Sequence, residues 1–157
     1  MNRKHFLKYL EKKGMGSEAL AMVAEAMVEY EAQKAPNSSW KMADVLRNEI
    51  GKQHEEGIWV LMLDIRLNPL GVVQVGMGDI SETVFPKRRF ARELVESGAP
   101  RFVLCHNHPS GDPSPSDDDF QLTTVVKDLG ALLGADLVDH IILTDFDYYS
   151  FNDKGHL

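Results

Sequence analysis

The chain has one cysteine, Cys105, in 157 residues, so no disulfide can form within it. Any zinc site in it must be built from histidine and carboxylate rather than thiolate. There is no run of about 18 apolar residues, as a membrane-spanning helix requires. The opening Met1-Asn2-Arg3-Lys4-His5 leads into no apolar stretch of the kind a secretory signal needs. The expected location is therefore the cytoplasm, with no membrane partner. Positive charge is in deficit: 17 Lys and Arg against 24 Asp and Glu leave a formal net charge of -7. A surface of that sign repels nucleic acid on average, so a DNA role would need a local basic patch. Internal repeats and low-complexity segments are also absent. What remains is 43% hydrophobic and 26% charged, the texture of one ordinary domain able to bury a core.

A helical stripe runs Leu20, Val23, Met27, Tyr30 from a candidate N-cap at Ser17, ending before Pro36-Asn37-Ser38-Ser39. A second helix is predicted over Trp40 to Ile50, closed by Gly51. This opening stretch carries no identifiable chemistry, and residues 1–51 read as a helical extension that packs on the domain or on a partner. Residues 52–157 read as the main domain. Its first segment, Ile58 to Leu63, is a continuous apolar run and hence a buried strand. Asn68-Pro69-Leu70-Gly71 reads as a hairpin turn into a partner strand, Val72 to Val75. A helix follows Pro86 with Phe90, Leu94 and Val95 on its apolar face, then a short buried strand over Arg101 to Cys105. Beyond the loop His106 to Pro115, a helix from Ser116 carries the stripe Leu122, Val125, Val126, Leu129, Leu132, Leu133. Strands near Leu137 to Thr144 and Tyr148 to Phe151 close the chain. This order predicts an α/β or α+β sandwich with a mixed sheet, not a doubly wound parallel one.

The loop concentrates the chemistry. His106 and His108 leave a strand two residues apart, so both imidazoles project to one side and can reach one ion. Pro109-Ser110-Gly111-Asp112-Pro113-Ser114-Pro115 reverses the chain, and the first turn of the next helix offers Asp117, Asp118 and Asp119. Two neutral imidazoles and one carboxylate, with a fourth position for water, form the ligand set of catalytic zinc, whereas structural zinc is closed by four protein ligands. Ser116 with Asp119 also fits a helix N-cap, but capping does not call for two adjacent histidines. Spacing alone leaves Asp118 and Asp119 both at the margin of the apolar stripe. Cys105 alternates away from His106 and reads as a buried strand residue, not a ligand.

The run from His106 to Ser116, taken with Asp119, resembles the signature of the RadC-like branch of the JAB/MPN (JAMM) metalloprotease superfamily. The resemblance extends from about Glu56 through Gly78 and Val84-Phe85-Pro86 to Asp139-His140-Ile141-Ile142 and Tyr149-Ser150-Phe151. It implies a JAB/MPN-like (cytidine deaminase-like) α+β fold, a mixed sheet sandwiched by helices, here with a short helical N-terminal extension. It implies zinc held by His106, His108 and Asp119, and Ser116 donating a hydrogen bond to the substrate carbonyl oxygen in the transition state. The family's general base is a glutamate just before the first long strand. Matching Leu63-Asp64 to the family's Leu-Asp/Asn puts that base at Glu56, with Glu55 the alternative one register away. His140 beside Asp139 matches a family dipeptide and reads either as a group supporting the metal or as a structural histidine.

The implied activity is zinc-dependent hydrolysis of peptide or isopeptide bonds, with a protein or peptide as partner and a ubiquitin-like C-terminus among the candidates. Two other readings come from different classes. One is a nucleic-acid-associated RadC-like module using Lys87, Arg88, Arg89 and Arg92, disfavoured by the net charge; the other is a non-catalytic MPN scaffold. The chain departs from the family in reading Pro86-Lys87-Arg88 where Pro-Arg-Glu is common, and in having little room for the longer helical N-terminal region usual in RadC-like proteins.

Overall fold

The run after Glu56 shows no polar alternation because both faces of its strand are covered. It forms β1 (Gly57–Leu63), buried throughout, and the strands that follow are β2 (Pro69–Met77), β3 (Arg101–Asn107), β4 (Asp136–Leu143) and β5 (Tyr148–Ser150). In this computed structural model, which describes residues 3–33, 38–78, 81 and 83–157, they make one sheet in the order β2-β1-β3-β4-β5. β1 runs antiparallel to β2 and β3, β3 parallel to β4, and β4 antiparallel to β5. The sheet is therefore mixed, as its sequence suggests. A parallel pair needs a long crossover, and α5 (Asp117–Leu132) supplies it.

Each sheet face has its own core. Ile58, Val60, Met62, Phe102 and Leu104 pack against Phe90 and Leu94 of α4 (Lys87–Ser97) and Leu122 and Val126 of α5. On the other face Trp59, Leu61, Leu63, Val103 and Cys105 pack against Met42, Ala43, Leu46 and Ile50 of α3 (Ser39–Ile50). Gly130 lets α5 lie close on β3: a Cβ there would stand 2.6 Å from the Phe102 ring and 2.9 Å from the Ala135 carbonyl oxygen. That approach also brings the start of α5 to the end of β3.

Two details differ from the sequence reading. The hairpin turn lies at Asp64 to Asn68, not at Asn68-Pro69-Leu70-Gly71. Asp64 accepts hydrogen bonds from the Arg66 and Asn68 amides and the Asn68 side chain, and Leu67 takes the left-handed conformation at φ 66°. Pro69 and Gly71 instead pair with Leu63 and Met62, which a proline tolerates at the first residue of an edge strand. The chain also divides into compact units Met1–Lys41 and Met42–Leu157, rather than at residue 51, because the apolar stripe of α3 belongs to the sheet's core. The first unit contains α1 (Arg3–Lys12), which periodicity did not reveal, and α2 (Ser17–Gln33), with Leu20, Val23 and Met27 half-buried. The turn expected at Pro36-Asn37 lies outside the described residues. Among the described residues, no helix is long and apolar enough to cross a membrane.

Candidate metal centre

Backbone hydrogen bonds deliver the motif side chains to one point. His106 lies on β3 opposite Ile58, on the face covered by α4 and α5, and is 2% exposed. Just beyond the strand, His108 is anchored by its amide donating to the Leu143 carbonyl at 2.9 Å. The loop then returns on itself: the Gly111 amide donates to His108 O at 3.1 Å, with Gly111 at φ 87°. Only glycine adopts that conformation without strain. Asp112 turns the loop again by accepting the Ser114 amide, and hydrogen bonding from Ser114 holds its carboxyl below the usual range. Ser116 is the N-cap of α5 and forms a reciprocal capping box with Asp119.

The donor atoms converge. His106 Nε2 lies 3.0 Å from His108 Nε2 and 3.0 Å from Asp119 Oδ1, and His108 Nε2 lies 3.8 Å from Asp119 Oδ2. One donor atom from each residue falls within 4.8 Å of the others. Asp119 Oδ2 already accepts the Ser116 amide at 2.7 Å and the Ser116 hydroxyl at 2.8 Å, which leaves Oδ1 facing the imidazoles. Burial alone would raise the Asp119 pKa, but the interaction with His106 and the two Ser116 donors outweigh it and hold the carboxyl well below the usual range.

Tautomers follow from the partners of the other ring nitrogens. A carbonyl oxygen only accepts, so His108 Nδ1 must carry the proton it gives to Asp112 O at 2.8 Å. Thr123 gives its hydroxyl hydrogen to the Asp119 carbonyl at 2.6 Å, so the Thr123 hydroxyl oxygen is left to accept from His140 Nδ1 at 2.6 Å. Burial pushes the His140 pKa well down and keeps the ring neutral, so its Nε2 is an acceptor. His106 Nδ1 then donates to it at 2.8 Å. Both Nε2 atoms are thereby left as lone pairs directed at each other and at a carboxylate. A proton between an Nε2 and the carboxylate satisfies this contact, as in the lowering of the Asp119 pKa by His106. A divalent metal ion in its place would be held by all three donors, so the donor set fits one.

Of the residues singled out in the sequence, the structure brings His106, His108 and Asp119 together and puts Ser116 on the Asp119 carboxylate. Glu56 stands outside the donor cluster. Continuing the register beyond Ile58 and His106 puts Glu56 opposite His108 on the same sheet face, and its carbonyl accepts the Gly78 amide at 2.9 Å. Glu55 precedes it by one residue and is exposed. Cys105 is buried on the α3 face, and burial pushes its thiol pKa far up, so it is not a ligand. Arg89 and Arg92 both pair with Glu93, which reduces the free charge of the basic cluster. Thr123 was not among the expected site residues, although it stands four after Asp119 on one helix face.

A mixed sheet with two imidazoles and a carboxylate gathered at the end of a central strand defines an α/β domain with a candidate metal site. A model of the RadC-like JAB domain family matches residues 36–156, and the chain belongs to that family. It is similar to a UPF0758 protein of Clostridium beijerinckii, 31% identical over 150 residues that cover 92% of this chain and 65% of that protein. It is also similar to UPF0758 proteins of Flavobacterium johnsoniae (32% over 151 residues, 91% of this chain, 66% of that one) and Pelobacter propionicus (31% over 153 residues, 92% and 67%). The chain thus spans about two thirds of the length of these relatives. The family match begins well before Glu56 and takes in α3, in keeping with the place of that helix in the core.

Proposed function

We propose that the chain is a zinc-dependent hydrolase of peptide or isopeptide bonds, with His106, His108 and Asp119 as metal ligands. The reading rests on the convergence of two Nε2 lone pairs and one carboxylate, with no fourth protein donor in the cluster among the described residues. A nitrogen-rich, thiolate-free set of three with an open position suits catalytic zinc better than magnesium or calcium, which take oxygen ligands. Zinc held there would act as a Lewis acid and lower the pKa of a water on it to about 7.

The chain's own residues then divide the work. Glu56 takes the proton of the attacking water and returns it to the leaving amine. Ser116 turns its hydroxyl from Asp119 Oδ2 to the substrate carbonyl oxygen as charge develops there, while the Ser116 amide keeps its bond to Asp119. A cleft of about 330 Å³ borders the centre at His108 and is lined by Arg47, Lys52, Gln53, Asn107 and the exposed Phe146. It is the proposed approach for a polypeptide substrate, a ubiquitin-like C-terminus being one candidate.

Zinc content and peptide cleavage measured on the same preparations test the assignment. Glu56→Gln should keep about one zinc per chain and lose roughly 10² to 10⁴ in rate, whereas Asp119→Asn should lose the zinc itself. Loss of zinc in Glu56→Gln would make Glu56 a ligand and overturn the mechanism. Full activity in Glu56→Gln with none in Glu55→Gln moves the base to Glu55. Zinc-loaded protein that cleaves nothing in a broad peptide library supports the scaffold reading instead.

A further inference from the structure

Asn107, between the two histidines, looks in the sequence like a mere spacer. It is buried, and its carboxamide is used at both ends on one short segment of the chain. Oδ1 accepts the Gly57 amide at 2.8 Å, and Nδ2 donates to the Glu55 carbonyl at 2.9 Å. These are the peptide groups on either side of Glu56. The third backbone bond at Glu56 comes from the opposite direction, its carbonyl accepting from Gly78. Flipping the carboxamide would set NH₂ against N–H and oxygen against carbonyl, so a single orientation satisfies both contacts.

We infer that Asn107 is a positioning residue: it clamps the peptide groups flanking Glu56 to the strand end that carries His106 and His108, and so fixes where the base stands relative to the metal ligands. The inference rests on the reading of Glu56 as general base. Asparagine alone among close relatives in size offers a donor and an acceptor in this geometry. Aspartate keeps the acceptor for Gly57 but turns an anion towards the Glu55 carbonyl, and alanine removes both bonds. Neither substitution touches a metal-binding nitrogen.

The test uses the full chain, zinc alone as the binding probe, and amide hydrogen exchange at Gly57 beside turnover of a mixed peptide library. In Asn107→Ala the Gly57 amide should exchange at least about tenfold faster, with zinc affinity within about threefold of the parent value, unlike the much larger change typical of lost ligand support. The kcat should fall roughly 10² for a displaced catalytic group, with KM little changed. The same substitution in the Glu56→Gln background should cost nothing further, the signature of two residues acting as one unit. Asn107→Asp should keep the slow exchange of Gly57 yet lose part of the kcat, and it carries the test should Asn107→Ala fail to fold. Unchanged Gly57 exchange in Asn107→Ala overturns the inference, as does an equal loss of rate in both backgrounds, or zinc loss as in His108→Ala. If Glu56→Gln alone keeps full turnover, the base assignment fails, while Gly57 exchange and zinc affinity still decide whether the clamp exists.

Discussion

Thr123 controls the centre without touching its donor atoms. Its hydroxyl hydrogen is committed to the Asp119 carbonyl, so it can only accept from His140, and each later proton in the series is fixed by the one before it. Thr123→Val keeps the shape and removes this constraint. His140 can then place its proton on Nε2, which makes His106 Nδ1 an acceptor and puts the His106 proton on the nitrogen facing the ion. Zinc affinity should fall by about 10- to 100-fold, the usual cost of losing a group that orients a metal-bound imidazole. Thr123→Ser, which keeps the hydroxyl, should restore most of it. Competitive zinc titration of the three proteins decides the matter, and equal affinity in Thr123→Val and the parent would remove Thr123 from the account.

β4 and β5 support the centre from behind through a polar tie that alternation puts on the opposite face from His140. Asp139 is buried and accepts the Ser150 hydroxyl at 2.6 Å and the Asn152 amide at 3.0 Å, fastening the turn in which Phe151 stacks on His140 at 4.6 Å. Burial pushes the Asp139 pKa up to about 6, against the lowering effect of those two hydrogen bonds. Its folded state thus holds the proton more tightly than the unfolded chain, whose carboxyl titrates near 3.8. Stability from this group is present at low pH and is lost as pH rises from about 4 through about 6, by roughly 3 kcal/mol at most. Asp139→Asn keeps an acceptor and cannot ionise, so it should remove that fall and be the more stable protein at pH 7. Denaturant melts of both at pH 4.5 and 7 test this, and parallel pH dependence in the two would refute it. Much of this arrangement was legible beforehand in the local run His106 to Asp119, where strand alternation and a glycine-turned loop already bring imidazoles and a carboxylate together. Of the supports, His140 was legible only through the family dipeptide and as one of two alternatives; Thr123 and Asn107 were not, because they reach their partners through strand register and helix docking between distant segments. The β1–β2 turn was misplaced for a related reason: Asp64 and Asn68 fold it by side-chain bonds, a stronger local effect than the Pro-Leu-Gly composition just after it.

For the whole molecule, the net charge of -7 makes weak attraction of any divalent cation inevitable, so a true site must be separated from diffuse binding. At about 0.15 M salt the screening length is roughly 8 Å, which suppresses the diffuse effect far more than coordination by buried donors. All three donors, with Glu56, Asn107, Thr123 and His140, lie within the unit Met42–Leu157. The unfolded chain scatters them, so an ion held by the folded state must stabilise that unit. Free zinc at 100 times its Kd should add about 2.7 kcal/mol, a large share of the 5–15 kcal/mol typical of a domain and worth several degrees in Tm. The shift should shrink as the solution is acidified, because protons compete for the imidazoles and the carboxylate. Magnesium at the same concentration should produce none of it, since that ion prefers six oxygen ligands and this centre offers two nitrogens and one carboxylate. Glu56→Gln should keep the zinc shift and Asp119→Asn should lose it, which ties the stabilisation to the assigned ligands rather than to acidic surface. Thermal melts of the three proteins with each ion decide the point. An equal shift with magnesium, or a zinc shift that survives Asp119→Asn, would show that the ion binds somewhere other than between His106, His108 and Asp119.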